Sequence, residues 1–382
     1  MFKKMLLTLS VLMLAGGAFA ADADWSFYGV GHVSLNSLNN GNDSQLSLTN
    51  NTSRFGFKGT VPMNDSFTAF WQFESELDFA GQSDFGTVIG TRNTFVGMKH
   101  ATAGKLMLGR HDTPFKVLGR NVEFFPDQLG DFRATTNGWD NRLTEMIAYA
   151  SPDWDGFSIF AGYQFDQGDI EDMSDTDPSY ESRTAMSAMA AYSTEQFLIG
   201  AAYEGYSSGY GIVDEGDNYS DGPAAYRFVA KYMGEKFEVG GMYQGATEQE
   251  YDYLTDGFMD DSSTDIGLGA VFMVSPKWNI KGQYYMLNHW TDAEDDTDTA
   301  NVDEGDWGAS QLTFGVERVF SENLMCYLQY SMMSNGEGLV DSGNQFALAG
   351  GQSGFGRSTD GSYQGAEWND PSGFSIGTAF SW

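Results

Sequence analysis

The sequence predicts an all-β fold: a closed, antiparallel transmembrane barrel of about 16 strands, with short periplasmic turns and long extracellular loops. Three observations lead there. Past residue 24 the apolar side chains recur with a period of two. Short polar turns alternate with long acidic connections. After an apolar leader, the chain offers no run of the roughly 18 to 20 apolar residues that a membrane helix needs.

In the leader, Lys3 and Lys4 precede the apolar run Met5 to Leu14, and the small-residue end Ala18-Phe19-Ala20 follows. This pattern reads as a secretory signal peptide over residues 1–20, cut after Ala20, leaving 21–382 as a single barrel domain. The 382 residues carry 53 acidic and 20 basic side chains, a formal charge of −33. That balance excludes nucleic acid as a partner, because binding a phosphate backbone depends on clustered Lys and Arg. Cys326 stands alone, so no intrachain disulfide and no Cys-based zinc site supports the fold.

The strands show most clearly in Phe157-Ser-Ile-Phe-Ala-Gly-Tyr163, Phe197-Leu-Ile-Gly-Ala-Ala-Tyr203 and Phe237-Glu-Val-Gly-Gly-Met-Tyr243, which begin 40 residues apart. Each follows a short polar turn, so the repeated unit is a hairpin. The same rule puts short turns near 62–66, 101–104, 153–156, 193–196, 234–236, 276–278 and 321–323. Longer loops then fall near 37–49, 80–88, 112–141, 167–181, 207–223, 248–262, 290–308 and 334–371. All 8 prolines lie in or beside these connections, as they must if proline cannot donate to a ladder.

Along a strand, large apolar groups take one face and small or polar groups the other. In the last strand Phe374, Ile376, Thr378, Phe380 and Trp382 share a face opposite Ser375, Gly377 and Ser381. A soluble sandwich would bury two such faces against each other, with no need for loops that are long at one end only. A membrane barrel needs them, and closure pairs every backbone polar group that meets lipid. Phe67, Phe157, Phe197, Phe237 and Trp278, beside the turns, would form one interfacial girdle.

Enzyme signatures are sparse. Gly205-Tyr-Ser207-Ser-Gly209 fits a nucleophile-elbow pattern, but it sits where a strand runs into a polar loop rather than at a strand-to-helix turn. The 4 histidines stand singly. Acidic clusters at Asp256 to Asp265 and Asp292 to Asp306 lack the spacing of a calcium loop and read as solvated loop surface, with weak calcium or magnesium bridging to anionic lipid head groups as the alternative. No cofactor is implied, and the chain reads as a non-enzyme.

The third loop is the exception among the connections. It carries Phe115, Val117, Leu118, Phe124, Phe125, Leu129, Phe132 and Trp139, too apolar for water, so it is expected to fold into the lumen. The wall opposite follows by parity. Phe55, Phe57 and Val61 facing lipid send Arg54 and Lys58 inward. Phe95 and Gly97 outside put Arg92 inside, and Leu143, Ile147 and Tyr149 outside put Arg142 inside, with Glu145 left as an exception facing outward. Inward arginines also avoid the several kcal/mol that a guanidinium costs in hydrocarbon.

At these residues the sequence resembles the general bacterial porins, trimeric diffusion channels of the Gram-negative outer membrane. The resemblance is tightest at Asn51-Thr-Ser-Arg54-Phe-Gly-Phe-Lys58-Gly, at Arg92-Asn-Thr-Phe-Val-Gly-Met-Lys99, at Leu108-Gly-Arg110 and at the terminal Phe380-Ser-Trp382. In that family the third loop constricts the pore with carboxylates opposed by arginines on the wall. Its loop motif, Asp-x-x-Pro-Glu-Phe-Gly-Gly-Asp, is similar to Glu123-Phe-Phe-Pro126-Asp127-Gln-Leu-Gly130-Asp131, with acid types exchanged and Leu129 in place of one glycine. The resemblance implies a basic wall of Arg54, Arg92 and Arg142 with Lys58 and Arg110, an acidic loop side of Glu123, Asp127 and Asp131, and 112–141 as the constriction loop. The wall lysine of some members is replaced by Val30. Thr378, Phe380 and Trp382 resemble the family's signal for the barrel-assembly machinery.

The resemblance implies a homotrimer in outer-membrane lipid and lipopolysaccharide, passing small hydrophilic solutes and ions; weak cation preference is expected, since the acidic mouth outweighs the wall. The rival readings are a barrel enzyme of lipase or protease type, which would need a Ser/His or Asp/His constellation at the rim, and a receptor or adhesin using the acidic loops.

Overall fold

The computed structural model describes residues 23–39, 44–80, 90, 92–135, 139–165, 184–207, 222–252, 257–291, 308–335 and 370–382. The expected leader lies outside them. The strand segments are β1 (Asp24–Asn39), β2 (Ser44–Asn50), β3 (Arg54–Pro62), β4 (Phe67–Glu76), β5 (Thr94–His100), β6 (Gly104–Asp112), β7 (Arg142–Ala150), β8 (Phe157–Gln164) and β9 (Ala185–Ser193). They continue with β10 (Phe197–Tyr206), β11 (Ala224–Met233), β12 (Phe237–Asp252), β13 (Gly257–Ser275), β14 (Trp278–Thr291), β15 (Ala309–Ser321), β16 (Leu324–Asn335) and β17 (Ser372–Ser381).

Apart from β2 and β3, which both pair with β1, each segment pairs antiparallel with its neighbours in sequence, and β17 returns to β1 in a register running from Val30 with Ser381 to Asn39 with Ser372. The sheet therefore closes without an edge. Both β2 and β3 pair with β1, so they are two halves of one strand and the barrel has 16 strands. Their junction explains itself in the sequence. The lipid-facing residues of β2, Leu46 and Leu48, are even-numbered, whereas those of β3, Phe55 and Phe57, are odd. Asn51, Thr52 and Ser53 stand against only Gly31 and His32, with Thr52 at φ 53°, and this one extra residue absorbs the change of phase.

The outer face is apolar all the way round: Phe228, Leu268, Phe314 and Ile376 are exposed, as are all five residues of the expected girdle. The inner face holds Gln283, Gln311, Gln329 and Ser331, all buried. The seven expected short turns join β3 to β4, β5 to β6, β7 to β8, β9 to β10, β11 to β12, β13 to β14 and β15 to β16. Two expected loops are shorter than the alternation implied. The first hairpin runs as strand to Asn39 and from Ser44, and the sixth to Asp252 and from Gly257. A hairpin pairs its own backbone outside the membrane, so it continues as strand without an apolar face. Most of the acidic stretches 256–265 and 292–306 lies outside the described side chains, and no group of metal-ligating residues occurs among the described ones.

Parity fails at two expected places. Val96 and Met98 face lipid beside Trp71 and Ala69, so Phe95 and Gly97 point inward, where Phe95 meets Phe70 and His111, and His111 in turn meets Phe160. In β7, Ile147 and Tyr149 face out, but Leu143 clusters inside with Met107, Met146 and Phe160. The register slips between Gly109 and His111, and Glu145 takes a positive φ of 48°. The bulge turns Leu143 inward and accounts for the outward Glu145.

The third loop enters the lumen. Thr113 caps a short helix, α1 (Pro114–Gly119), by accepting from Lys116 N at 3.2 Å, and Pro114 opens it where a missing N–H costs nothing. Single turns of tighter helix follow at Arg120–Val122 and Phe132–Ala134. Phe115, Leu118, Val122, Phe124, Phe125, Leu129, Phe132 and Trp139 are all buried against the inner wall. Glycines on that wall make room: a Cβ at Gly200 would lie 2.6 Å from Leu118 Cδ1, and one at Gly315 2.7 Å from Phe125 Cε1.

Phe228→Arg, mid-strand on the lipid face, is expected to cost about 2–4 kcal/mol in denaturant titrations of vesicle-embedded protein. Thr60→Arg, on the inner face, is expected to cost less than about 1 kcal/mol in the same titration.

Candidate pore constriction

The loop lies across the inner faces of β9 to β17. Phe115 N donates to Ser187 Oγ (3.1 Å), Tyr285 Oη to the Val122 carbonyl (3.0 Å) and Gln311 Nε2 to the Leu129 carbonyl (3.3 Å); Gln283 Nε2 bonds the Gly130 carbonyl. Lys281 sits over the Phe125 ring at 4.7 Å and Lys231 over Phe124 at 5.2 Å. One side of the barrel is thus filled. The open side is walled by β1 and by β3 to β6.

Across that opening runs a ladder of alternating charge. On the wall, Glu74 of β4 accepts from Arg92 Nε (2.8 Å) and Tyr28 Oη (2.9 Å), and Arg54 Nε lies 4.0 Å from it. Arg54 then reaches the loop, with Nη1 3.7 Å from Asp127 Oδ2. On the loop, Asp127 accepts from Arg133 Nη2 (2.8 Å) and Arg120 Nη2 (3.3 Å), while Asp131 takes Arg133 Nε (2.8 Å) and Arg120 Nη1 (3.4 Å). Asp127 sits at φ 56° and donates its own N–H to Asp131 (2.8 Å), a tight bend in which Leu129 still finds room against Gly373.

The three expected loop acids have different positions. Glu123 turns into the loop, where its carboxylate accepts from Phe125 N (3.1 Å) and Phe132 N (3.2 Å), so it does not face the opening. Burial, with Asp131 nearby, pushes its carboxyl well above the usual range. Burial also acts against Asp131, but Arg133 and Arg120 outweigh it and hold that carboxyl down at about 2. Asp127 is held below the usual range in the same way by Arg120, Arg133 and Arg54.

Exposure settles which charges meet water. Arg54, Arg120 and Arg133 are 27%, 26% and 30% exposed, against 9% for Glu74, 15% for Asp127 and 1% for Asp131. The guanidinium groups line the opening and the carboxylates lie beneath them. Arg120 and Arg133 were missed by parity, because a loop has no period; their signal was the placing of Arg133 two residues beyond Asp131.

The remaining wall residues divide. Lys58 points inward, 5.2 Å above the Tyr28 ring. Arg92 precedes β5 and reaches the ladder from the turn, not through the strand parity expected of it. Arg142 sits at the loop's root, bound to Asp112 (2.9 Å) and Asn93 (2.9 Å), with Lys116 on the same carboxylate (2.9 Å). Arg110 pairs across from Thr94 on the face of Leu106 and Leu108, so the phase of β6 carries it to the outer side rather than the lumen. At the chain's end Trp382 exchanges backbone hydrogen bonds with Gly29, both at 3.2 Å, and its ring joins Phe380 and Phe27 on the outer face. The nucleophile-like Ser207 accepts from Thr184 N (2.8 Å) and closes a hairpin instead.

A family model described as Gram-negative porin matches residues 8–338. The chain belongs to the Gram-negative porin family. Over 169 residues this porin is 31% identical to the outer membrane porin protein OmpD of Salmonella typhimurium, covering 43% of this chain and 44% of that one. Over 190 residues it is 28% identical to a chitoporin of Vibrio furnissii, covering 44% and 50%. These alignments span half or less of the relatives' length. Among solved structures, an anion-selective porin from Comamonas acidovorans superposes with TM-score 0.69 at 17% identity, over 94% of this chain and all of that one. OmpT of Vibrio cholerae in its trimer form gives 0.64 at 17% identity, over 94% and 99%. Those likenesses establish a shared barrel, and with the family they put this porin in the Gram-negative outer membrane.

An acid held down in the folded protein contributes stability above its ordinary value near 4 and loses it as pH falls through the folded value. Protection of the Asp127 amide in this porin, measured by hydrogen exchange, is therefore expected to survive from pH 7 through pH 4 and to weaken only toward about 2. Arg133→Gln should reduce that protection at neutral pH, by more than the ~1 kcal/mol of an exposed ion pair and less than the ~3–5 kcal/mol of a buried one.

Proposed function

We propose that this porin is a passive diffusion channel for small hydrophilic solutes and ions, assembled as a homotrimer. The observation that carries the reading is the third loop: folded inside a closed barrel, it leaves one opening with a charged rim. Polar solutes exchange bulk water for that rim, whereas apolar ones must displace water ordered by it, so the opening passes hydrophilic molecules and sets their upper size. No chemical step is involved.

Ion preference is a contest between two regions. The acidic segments that the sequence places in the long connections attract cations to the mouth, and the exposed guanidinium groups of Arg54, Arg120 and Arg133 favour anions at the narrow section. Mouth charges act across bulk water, so their reach falls from about 30 Å at 0.01 M salt to about 3 Å at 1 M. The guanidinium groups stand within contact of a passing ion at any salt. Weak cation preference at low salt, fading or reversing toward anions as salt rises, is the consequence.

The outward row of Thr378, Phe380 and Trp382 suits recognition by the barrel-assembly machinery, and the outer apolar band suits lipid and lipopolysaccharide. A receptor or adhesin role would rest on the loops alone and needs no inward third loop.

In planar bilayers the purified protein is expected to give stable conductance steps in groups of three; a silent membrane would overturn the channel reading. Reversal potentials across a KCl gradient should report cation preference near 0.01 M that shrinks toward 1 M, and a preference independent of salt would refute the two-region account. Arg54→Gln should move the high-salt preference toward cations.

A further inference from the structure

The geometry points to Arg227 as the latch that holds the third loop in its constricting position, a positioning residue for conduction rather than a pore-lining one. It lies on the inner face of β11 and is fully buried. Its guanidinium binds the loop at both ends. Nη1 and Nη2 engage the two carboxylate oxygens of Asp140, at the loop's exit, at 2.9 and 3.2 Å. Nη1 also donates to the Phe115 carbonyl, at the loop's entry, at 3.3 Å. The plane stacks over the Phe115 ring at 4.1 Å and approaches the Phe132 ring, from the middle of the loop, at 5.8 Å. One side chain therefore gathers three parts of the loop that are far apart in sequence.

The wall holds the arginine in turn. Arg227 Nε donates to Gln244 Oε1 at 3.0 Å, and Gln244 Nε2 donates to Asp265 Oδ2 at 2.6 Å, so the latch is braced from β12 and β13. A planar, two-sided fork is what this arrangement requires, since one face stacks while the edge binds a carboxylate bidentately. Among the other wall-to-loop contacts, Tyr285, Gln283 and Gln311 make neutral bonds to single carbonyls, Ser187 accepts from Phe115 N, and Arg54 reaches Asp127 only at the tip, at 3.7 Å. The charged, doubly anchored contact is Arg227, and Gly119 sits so close that a Cβ there would strike its Nη1.

With the latch released, the loop keeps its covalent roots and its tip contacts but loses the bond that fixes its two ends together. It then moves within the lumen, and the channel shows current noise, sub-conductance steps and closure at lower voltage. Arg227 does not touch permeating ions, so ion preference stays near that of the parent.

This inference rests on the channel reading, and bilayer recordings separate the two. Arg227→Met tests it directly, but a lone Asp140 left buried could prevent folding. The paired variant Arg227→Met with Asp140→Asn removes both charges at nearly constant side-chain volume and leaves neither member of the pair as an unmatched buried ion. Folding is checked by heat-modifiable migration and β-sheet circular dichroism. The expected result is a folded paired variant with sub-conductance steps, a lower closing voltage and an unchanged reversal potential. Steady currents with the parent's closing voltage from the folded variant would overturn the latch. Altered reversal potential with a steady open level would also overturn it, by making Arg227 a pore-lining charge. A silent parent protein would instead overturn the channel reading itself.

Discussion

Every feature of this molecule depends on one constraint: in hydrocarbon a backbone N–H or C=O left without a partner costs several kcal/mol, and water is not there to help. Closure of β17 onto β1 satisfies the last of them. The bulge at Asn51 to Ser53 shows how firmly the constraint binds. When the apolar phase of the sequence shifts by one, the chain inserts an unpaired residue on the inner, polar side of the problem instead of turning a row of leucines and phenylalanines into the lumen.

A barrel that faces lipid outside and water inside has no ordinary core, and the third loop supplies one. Its eight large apolar residues bury themselves against inner-wall positions kept small or glycine, as at Gly200 and Gly315. The loop is thus held by the same effect that folds soluble proteins, working in the one compartment of this molecule that contains water. Polar tethers from Gln311 and Tyr285 fix where it lies, because burial alone has no direction.

The legible part of the architecture was the part that repeats. Period-two alternation placed the strands, and polar breaks placed all seven turns, because a strand between lipid and water has no freedom in phase. The side-chain directions of Phe95 and Leu143 were not legible, since both turn on local geometry. Phe95 sits on a strand whose outer face carries Val96 and Met98, so either phase looks apolar. Leu143 lies beyond a bulge that one positive φ at Glu145 creates. The loop's apolar character was visible, but its internal charge pairing was not. Carboxylates read as free acids in a sequence; only a fold shows that Arg120 and Arg133 cover them.

That covering changes what the narrow section is. A carboxylate placed at the edge of a folded loop must either stay in water or find cations as it is buried, and Asp131, at 1% exposure, has taken the second course. Its partners come from the loop itself, so the loop arrives at the wall already neutralised, and its outermost atoms are guanidinium nitrogens. Arg54 approaches Asp127 only to 3.7 Å, and Asp127 already shares its charge with two other arginines. The field across the opening is therefore weaker than that of bare acids facing bare arginines and is weighted to its basic side. In the channel we propose, the acidity of the whole chain, −33 in the sequence, would act on ions before they reach that point and not at it.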